Sequence, residues 1–487
     1  MKAFWAKITA FFMVIVAFFS GLFSGGDSKP VDPPTEPTTE VITMPTEPIT
    51  EPTTPTEPST EPTEPSTEPV VTTVGQYGLP ALPGAAEPGV YQSAGSTEIV
   101  RYENTTAEDF SSYRQTLLGA GYTVYDARSI ENNQFATLIS DALTVTLSWF
   151  ANTKTMRIIA EARGALCPLQ DDCEAVCDTL LTGMKGETCV ATEGMGYIIR
   201  LCDGSFVIID GGMGDPDSVD SNKLMDILNA QKPEGTDKPV IAAWIFTHLH
   251  GDHIGVFNCF SLDHHDDVVI ERLMYNFPKE EEIPDSDSPY MLDNSIYRYT
   301  QFKQNLADFY ADVPVVKLHS GNRFALRNAQ FDVLYAYDDY YPKTILSGGM
   351  NENSLLIKMT VDGQTTLWTG DFAFGAADLV LQEYTAATLH SDILQMAHHG
   401  WNGTVPLYST VDPTYALLPV SFAVDMDNML SSAQNAWLRD SANLRQFIVT
   451  MCGTWTLKLP YEPVAGTFER IPTAETVYPS YPNLLGS

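Results

Sequence analysis

The chain has 487 residues, 44% of them hydrophobic, and carries 62 acidic against 27 basic side chains for a formal net charge of −35. That apolar content excludes a wholly disordered protein, and at ~150 residues per domain the length predicts more than one folded unit. The charge excludes general coating of nucleic acid, so no stable nucleic-acid complex is expected, and seven cysteines, an odd number, are too few for a disulfide scaffold.

Residues 1–26 read as a secretory signal peptide or a signal-anchor: Lys2 and Lys7 precede the apolar run Ile8–Phe23, followed by Gly25, Gly26 and Asp27. An uncleaved anchor is favoured, because no Ala-x-Ala site follows the run. The expected location is the extracellular face of a Gram-positive-like cell, with the chain held at the membrane by this segment or secreted. Residues 27–73 are a linker. Pro30–Pro69 repeats Pro-Thr-Glu and Pro-Ser-Thr-Glu, with 12 prolines, nine carboxylates and almost no large apolar side chain. Such a stretch cannot bury a core, and a disordered, extended spacer of up to ~120 Å, at ~3.1 Å per residue, is expected. It resembles the Pro-Thr-rich wall-spanning linkers of Gram-positive surface proteins.

Residues 74–166 regain structural patterning. A helix is predicted over Glu108–Gly119 and strands over 123–128, 135–140, 143–150 and 156–162, giving a small α+β domain. It holds no His and no Cys, so a metal or thiol site is not expected inside it. Its role is either a substrate- or wall-binding module or a docking and spacer domain.

The chemistry lies in residues 167–465, ahead of a C-terminal tail at 466–487. The apolar strand Phe206–Ile209 ends in Asp210-Gly211-Gly212. A second strand, Val240–Phe246, runs into Thr247-His248-Leu249-His250-Gly251-Asp252-His253. In extended backbone, side chains at i and i+2 point the same way, so His248 and His250 can share one cation. After a turn at Gly251, Asp252 and His253 can face a second cation, and a hydroxide can bridge the two. Leu367–Phe372 places Asp371 at a strand end, suited to bridge both cations, and Ile393–Gly400 ends a third strand in His398-His399. Five of the nine histidines fall in these motifs. Of the others, His319 reads as a turn between strands, His264-His265 as part of a solvated loop, and His390 as structural. A Cys167–Cys173 or Cys173–Cys177 disulfide suits an exported chain, and Cys202, Cys259 and Cys452 read as buried thiols.

Asp210, the His248–His253 cluster, Asp371 and His398-His399, in that order, resemble the motifs of the metallo-β-lactamase superfamily over roughly Cys173–Pro463. The resemblance implies an αββα sandwich with the site built from strand ends and loops. Asn351-Glu352-Asn353-Ser354-Leu355 and His398-His399-Gly400 narrow it to the branch containing the hydrolase domain of the bacterial DNA-uptake channel protein and phosphorylcholine esterases, which act on phosphodiesters. The chain departs from the wider superfamily where a third His of the first cation is usual, about twenty residues before the bridging Asp; Asn351, Asn353 and Ser354 stand there. Two divalent cations are therefore expected, zinc first and manganese as the alternative, because an amide oxygen is a harder ligand than imidazole.

The expected ligands are His248, His250, Asp252, His253, Asp371, His398, His399 and Asn353. The expected catalytic residues are Asp252, Asp210 holding a ligand His in its tautomer, and whichever of His398 and His399 does not bind metal, as proton donor. The implied activity is metal-dependent hydrolysis of a phosphodiester, in a small-molecule or cell-wall polymer ester. Acyl hydrolysis, or an inactive wall-binding module, is the alternative.

Overall fold

This computed structural model describes residues 72–187, 194–215, 217–283, 295–340, 349–420, 431–450 and 453–462. The N-terminal apolar run, the Pro-Thr-Glu repeat, Cys452 and the tail at 466–487 lie outside the described residues. Among the described residues no helix is long and apolar enough to cross a membrane.

After a two-stranded pairing of 73–74 with 79–80, the N-terminal part is built on a six-stranded antiparallel sheet: β1 (Gly89–Gln92), β2 (Glu98–Tyr102), β3 (Thr123–Ile130), β4 (Asn133–Ile139), β5 (Leu143–Phe150) and β6 (Thr155–Ala162), in the order β1-β2-β6-β5-β4-β3. Helix α1 (Ala107–Gly119) starts where Thr106 and Asp109 cap each other reciprocally: Thr106 Oγ1 accepts from the Asp109 amide and the Asp109 carboxylate accepts from the Thr106 amide. It buries Phe110, Tyr113 and Leu117 against the sheet. The sequence predicts α1 and four of these strands; β1 and β2 are additional.

Two further sheets face each other. The first holds β7 (Leu180–Gly183), β8 (Gly196–Arg200), β9 (Phe206–Asp210), β10 (Val240–Ile245), β11 (Leu273–Tyr275) and β12 (Val315–Lys317). The second holds β13 (Arg323–Leu326), β14 (Ala329–Tyr335), β15 (Leu356–Val361), β16 (Gln364–Trp368), β17 (Ile393–Gln395), β18 (Tyr415–Leu418) and β19 (Gln446–Val449), in sequence order across the sheet. The last strand, β20 (Trp455–Lys458), returns to the first sheet beside β7, giving β12-β11-β10-β9-β8-β7-β20. In each sheet an antiparallel portion continues into a parallel one: β9 to β12 run parallel in the first, β16 to β19 in the second.

Strand alternation sorts the apolar side chains. Val207 and Ile209 of β9 point between the sheets, into a core shared with Val333 and Ile357. Phe206 and Ile208 point outward, onto helices α2 (Val219–Gln231), α3 (Gly251–His264) and α4 (Ser295–Phe309), through Leu228, Phe257 and Phe302. Both faces of the strand are thus apolar, as expected where both are covered. On the far side of the second sheet lie α6 (Phe374–Glu383), α8 (Val405–Val411) and α9 (Ala433–Asp440), with the short α7 (Ala386–Leu389), whereas a short α5 (Tyr337–Tyr340) after β14 packs Tyr337 into the cluster of the first sheet's helices. The layers run helix, sheet, sheet, helix, the αββα sandwich that the resemblance implies.

The N-terminal sheet is docked on the side of β12 and β13. Phe135 and Phe150 enter the core beneath the second sheet, Lys317 Nζ donates to Thr97 Oγ1 at 2.9 Å, and Arg157 donates to the Asp339 carbonyl at 2.7 Å. The docking covers strand edges that would otherwise present unpaired backbone.

Candidate metal centre

β9 and β10 run parallel with Ile209 opposite Ile245, so Asp210 and the Thr247–His253 segment leave the first sheet at one end. β16 and β17 run parallel with Leu367 opposite Leu394, which delivers Asp371 and His398-His399 together from the second sheet. Carboxyl ends of parallel strands are where open α/β sheets gather ligand-binding groups.

Asp210 is fully buried and holds φ 57°, a left-handed backbone that Asp tolerates better than most residues. Its carboxylate accepts from the Thr247 amide at 2.7 Å, from Thr247 Oγ1 at 2.8 Å and from His253 Nδ1 at 2.7 Å. That bond directs His253 Nε2 inward. Thr247 Oγ1 in turn lies 3.2 Å from His248 Nδ1 and, as acceptor, leaves His248 Nε2 unprotonated. One buried carboxylate therefore orients two histidines, one directly and one through a hydroxyl.

His248 Nε2 and His250 Nδ1 are 3.0 Å apart, as two side chains on one face of extended backbone should be. Helix α3 begins at Gly251, so Asp252 and His253 sit in its first turn, where the helix dipole favours the carboxylate. His399 Nε2 lies 3.0 Å from Asp252 Oδ2, and its Nδ1 is 2.8 Å from the Pro419 carbonyl, to which it donates. His398 and His399 both have left-handed backbone, φ 49° and 53°, a strained conformation of the kind that clusters at functional sites. The turn is pinned by Asn435 Nδ2 on the Gly400 carbonyl at 2.7 Å and the Tyr408 hydroxyl on the Ala397 amide at 3.1 Å. Gly370, φ 52°, admits no side chain, since a Cβ there would stand 2.7 Å from Thr247 Oγ1.

Asp371 stands between two groups. Its Oδ2 is 3.7 Å from His248 Nε2 and 3.6 Å from His398 Nε2; its Oδ1 is 3.0 Å from His253 Nε2 and 3.6 Å from His399 Nε2. Neither Asp371 oxygen nor His253 Nε2 has a hydrogen-bond partner, although all three are buried. Asp252, His253, Asp371 and His399 form one set whose ligating atoms lie within 4.8 Å of one another, and His248, His250 and Asp371 form a second. These donors fit two cations sharing one carboxylate.

The electrostatics divide the two rings that Asp210 orients. Burial and the neighbouring His253 push the His248 imidazole well below its usual range, so it stays neutral, as a ligand must. Burial also opposes charge on Asp371 and Asp252, but His253 overrides it in both cases and holds the two carboxylates ionised. Burial opposes charge on His253 too, yet Asp371 and Asp210 together raise it well above the usual range, so without a cation this ring is charged and must release its Nε2 proton to become a ligand.

His398 stands outside both sets. Its side chain is 30% exposed, and its Nδ1 is 3.3 Å from Asn351 Nδ2. Asn351 and Asn353 lie in a 3-10 turn, Gly349–Asn353, before Ser354, whose hydroxyl accepts from the Asp371 amide at 3.0 Å. Asn351, the second choice from sequence, is thus the amide beside the histidine pair, while Asn353 Nδ2 faces Met350 Sδ at 3.7 Å.

Two sequence expectations need correction. His264 lies in the last turn of α3, not in a loop, with Asp267 at 3.0 Å and Asn222 at 2.9 Å. Cys173 pairs with neither Cys167 nor Cys177: its Sγ is 3.0 Å from Cys202 Sγ. His319 does sit in the turn after β12, but buried, and His390 is structural, its Nδ1 2.9 Å from the Val411 carbonyl. The sequence reading missed Thr247, Ser354 and the Pro419 carbonyl. The first two adjoin motif residues and were open to inspection; nothing in the sequence marks Pro419.

No family model matches the sequence, and no curated protein matches it. Among solved structures the chain is similar to the metallo-β-lactamase fold protein YhfI from Bacillus subtilis, at 14% identity over 57% of this chain and 100% of that one, TM-score 0.35. It is similar to CmlA, a diiron β-hydroxylase from Streptomyces venezuelae, at 12% identity over 62% of this chain and TM-score 0.32, spanning 55% of that chain. It is also similar to the short form of human tRNase Z, at 14% identity over 49% of this chain and 91% of that one, TM-score 0.26. At these identities the likeness is one of fold alone.

Proposed function

We propose that the chain is a metal-dependent hydrolase that cleaves phosphodiester bonds in a small-molecule or cell-wall polymer ester, working at the extracellular face on the end of its Pro-Thr-Glu spacer. The observation that carries the metal-dependent reading is Asp371: a buried carboxylate without hydrogen-bond donors, each oxygen facing a different set of imidazoles. His248, His250 and Asp371 would hold one cation and Asp252, His253, His399 and Asp371 the other, zinc being the first choice for so imidazole-rich a set. Bound there, two cations would supply an acidified water and neutralise charge developing on the substrate.

The chain's own residues have separate tasks. Asp210 keeps the His253 Nδ1 proton in place, and the Pro419 carbonyl does the same for His399, so Nε2 is the nitrogen each would turn to a cation, His253 after giving up its second proton. His398, outside both ligand sets and partly exposed, gives a proton to the departing oxygen. The phosphodiester assignment is supported by the Asn351–Leu355 and His398–Gly400 motifs and by the suitability of a two-cation centre for in-line displacement.

The test is elemental analysis of the reconstituted chain together with turnover of phosphodiesters, phosphomonoesters, lactones and cephalosporins under Zn, Mn and Mg. Two metals per chain and phosphodiester turnover are expected. Lactone turnover alone would replace the substrate class, and a folded chain retaining no metal would overturn the enzyme.

A further inference from the structure

Outside the metal centre, the described cysteines fall into two situations. Cys167 is buried, and Cys259 Sγ is engaged at 3.3 Å by the Asp215 carbonyl. Cys173, Cys177 and Cys202 instead gather at one place, where the irregular segment 163–179 crosses from β6 to β7 past the turn joining β8 to β9. The Val176 and Cys177 amides both donate to the Cys202 carbonyl, at 2.8 and 3.0 Å. That pairing fixes the backbone of the crossing segment against the turn before any sulfur chemistry occurs.

We infer that Cys173 and Cys202 are joined by a disulfide that clamps the crossing segment to the β8–β9 turn. Their sulfurs lie 3.0 Å apart. A disulfide bond is ~2.05 Å long, so an approach of about 1 Å completes it, within the reach of a side chain on the exposed segment. Cys177 is the only nearby competitor among the described residues, and its Sγ points at the Leu201 and Cys202 carbonyls, at 3.4 and 3.5 Å.

All three cysteines line an open cleft of about 470 Å³, which gives an oxidant access. One ionic bridge also ties the segment to the turn: Arg327 holds Asp171 of the segment at 2.6 Å, and Asp203 of the β8–β9 turn at 2.8 Å. Salt weakens such contacts; a covalent bond is indifferent to it. That difference matters for a chain working outside the cell, the setting in which disulfides persist.

The reaction balances as an exchange. Two S–H bonds break and one S–S bond forms, and two electrons and two protons pass to the disulfide of the oxidant, which leaves as two thiols. Outside the cytoplasm the oxidant would be a disulfide-bearing thiol oxidoreductase; in the test it is oxidised glutathione.

The full chain, purified reduced and equilibrated with oxidised glutathione, is alkylated and cleaved after Lys and Arg. Residues 164–185 and 201–223 should be recovered as one disulfide-linked pair, 2 Da lighter than the sum of the two thiol peptides. Further cleavage after Glu174 should leave 164–174 on the link and release 175–185. Cys173→Ser and Cys202→Ser should each abolish the pair, whereas Cys167→Ser and Cys177→Ser should keep it. Wild-type chain should melt several degrees higher oxidised than reduced, a gap that Cys173→Ser closes. Free, alkylated Cys173 and Cys202 in folded oxidised wild type, or a link carried by residues 175–185, would overturn the inference. Neither result depends on metal content, so the enzyme and the clamp fail separately.

Discussion

Two buried histidine–carboxylate clusters in this molecule look alike in composition and differ in what they lack. At His319 both ring nitrogens are bonded: Nδ1 lies 2.5 Å from Asp338 Oδ2 and Nε2 lies 3.0 Å from Glu161 Oε1, with Asn276 Nδ2 also on Asp338 at 2.6 Å. Burial pushes this imidazole down, but Asp338 and Glu161 overcome it and raise it to about 9, so a charged ring sits between two ionised carboxylates. At His253 only Nδ1 is bonded; Nε2 and both oxygens of Asp371 are buried without a hydrogen-bond partner. Burial, residue type and one orphaned carboxylate oxygen, Asp338 Oδ1, are shared. What marks the cluster that awaits cations is an unbonded ring nitrogen together with a carboxylate left without a partner on both oxygens.

The largest way to test that contrast is Asp371→Asn, which removes the shared charge with little change of volume. Activity should fall by more than the ~10- to 100-fold that follows loss of a partner behind a ligand, and retained metal should drop from near two per chain to one or fewer. Retention of two metals would make Asp371 a structural carboxylate like Asp338. Asp210→Asn should cost ~10- to 100-fold in metal affinity by releasing the tautomer of His253, with the fold intact because Asn also accepts left-handed backbone. Titration with a chelator, alongside circular dichroism, separates these effects.

How much of this was legible in the sequence follows the same division. The metal-centre residues come in compact motifs at the ends of apolar strands, and the two-residue period of extended backbone was enough to pair His248 with His250. The αββα layering was implied by the superfamily that those motifs, in their order, resemble. The His319 cluster was not legible, because its members lie at 161, 319 and 338 and meet only when the N-terminal sheet docks. Strand β2 was missed for a related reason. Its Glu98 looks like a surface residue but is fully buried, its carboxylate accepting from the Gln76 amide at 2.7 Å and Gln92 Nε2 at 2.8 Å. Cys173 and Cys202, 29 residues apart, pair through a crossing that local spacing does not reveal.

His319 also separates the clusters by pH. Its folded pKa of about 9 lies above the ordinary value of 6.5, so the stability it contributes is fully present below pH ~6.5 and is lost as the pH rises through 9. At ~1.4 kcal/mol per pH unit the loss is of order 3 kcal/mol. The melting temperature should therefore fall between pH 6.5 and 9 in wild type and stay flatter in His319→Gln. Metal stoichiometry at constant pH should be the same in both. If His319→Gln lost metal, the two clusters would not be independent.

The smallest expected effect concerns the amides where the sequence departs from its wider family. Oδ1 of both Asn351 and Asn353 is buried and meets no hydrogen-bond donor. Neither side chain caps the strand that follows, since the Ser354 amide is taken by the backbone carbonyl of Asn351 at 3.1 Å. Such an orphaned amide oxygen would be a fourth donor for the cation at His248, His250 and Asp371, hard enough to shift the preference from Zn toward Mn. Asn353→Ala should then lower affinity for that cation by about tenfold, the size of effect seen when one supporting group is lost, while the cation at Asp252, His253 and His399 stays. Asn353→His should restore an imidazole and raise the Zn-to-Mn activity ratio. Asn351→Ala and Asn351→His form the parallel pair, and Asn351 already stands beside His398. If the ratio moves only in the Asn351 variants, the donor is Asn351. If both pairs change only the melting temperature, the two amides support the turn, and the first cation is held by His248, His250 and Asp371 alone.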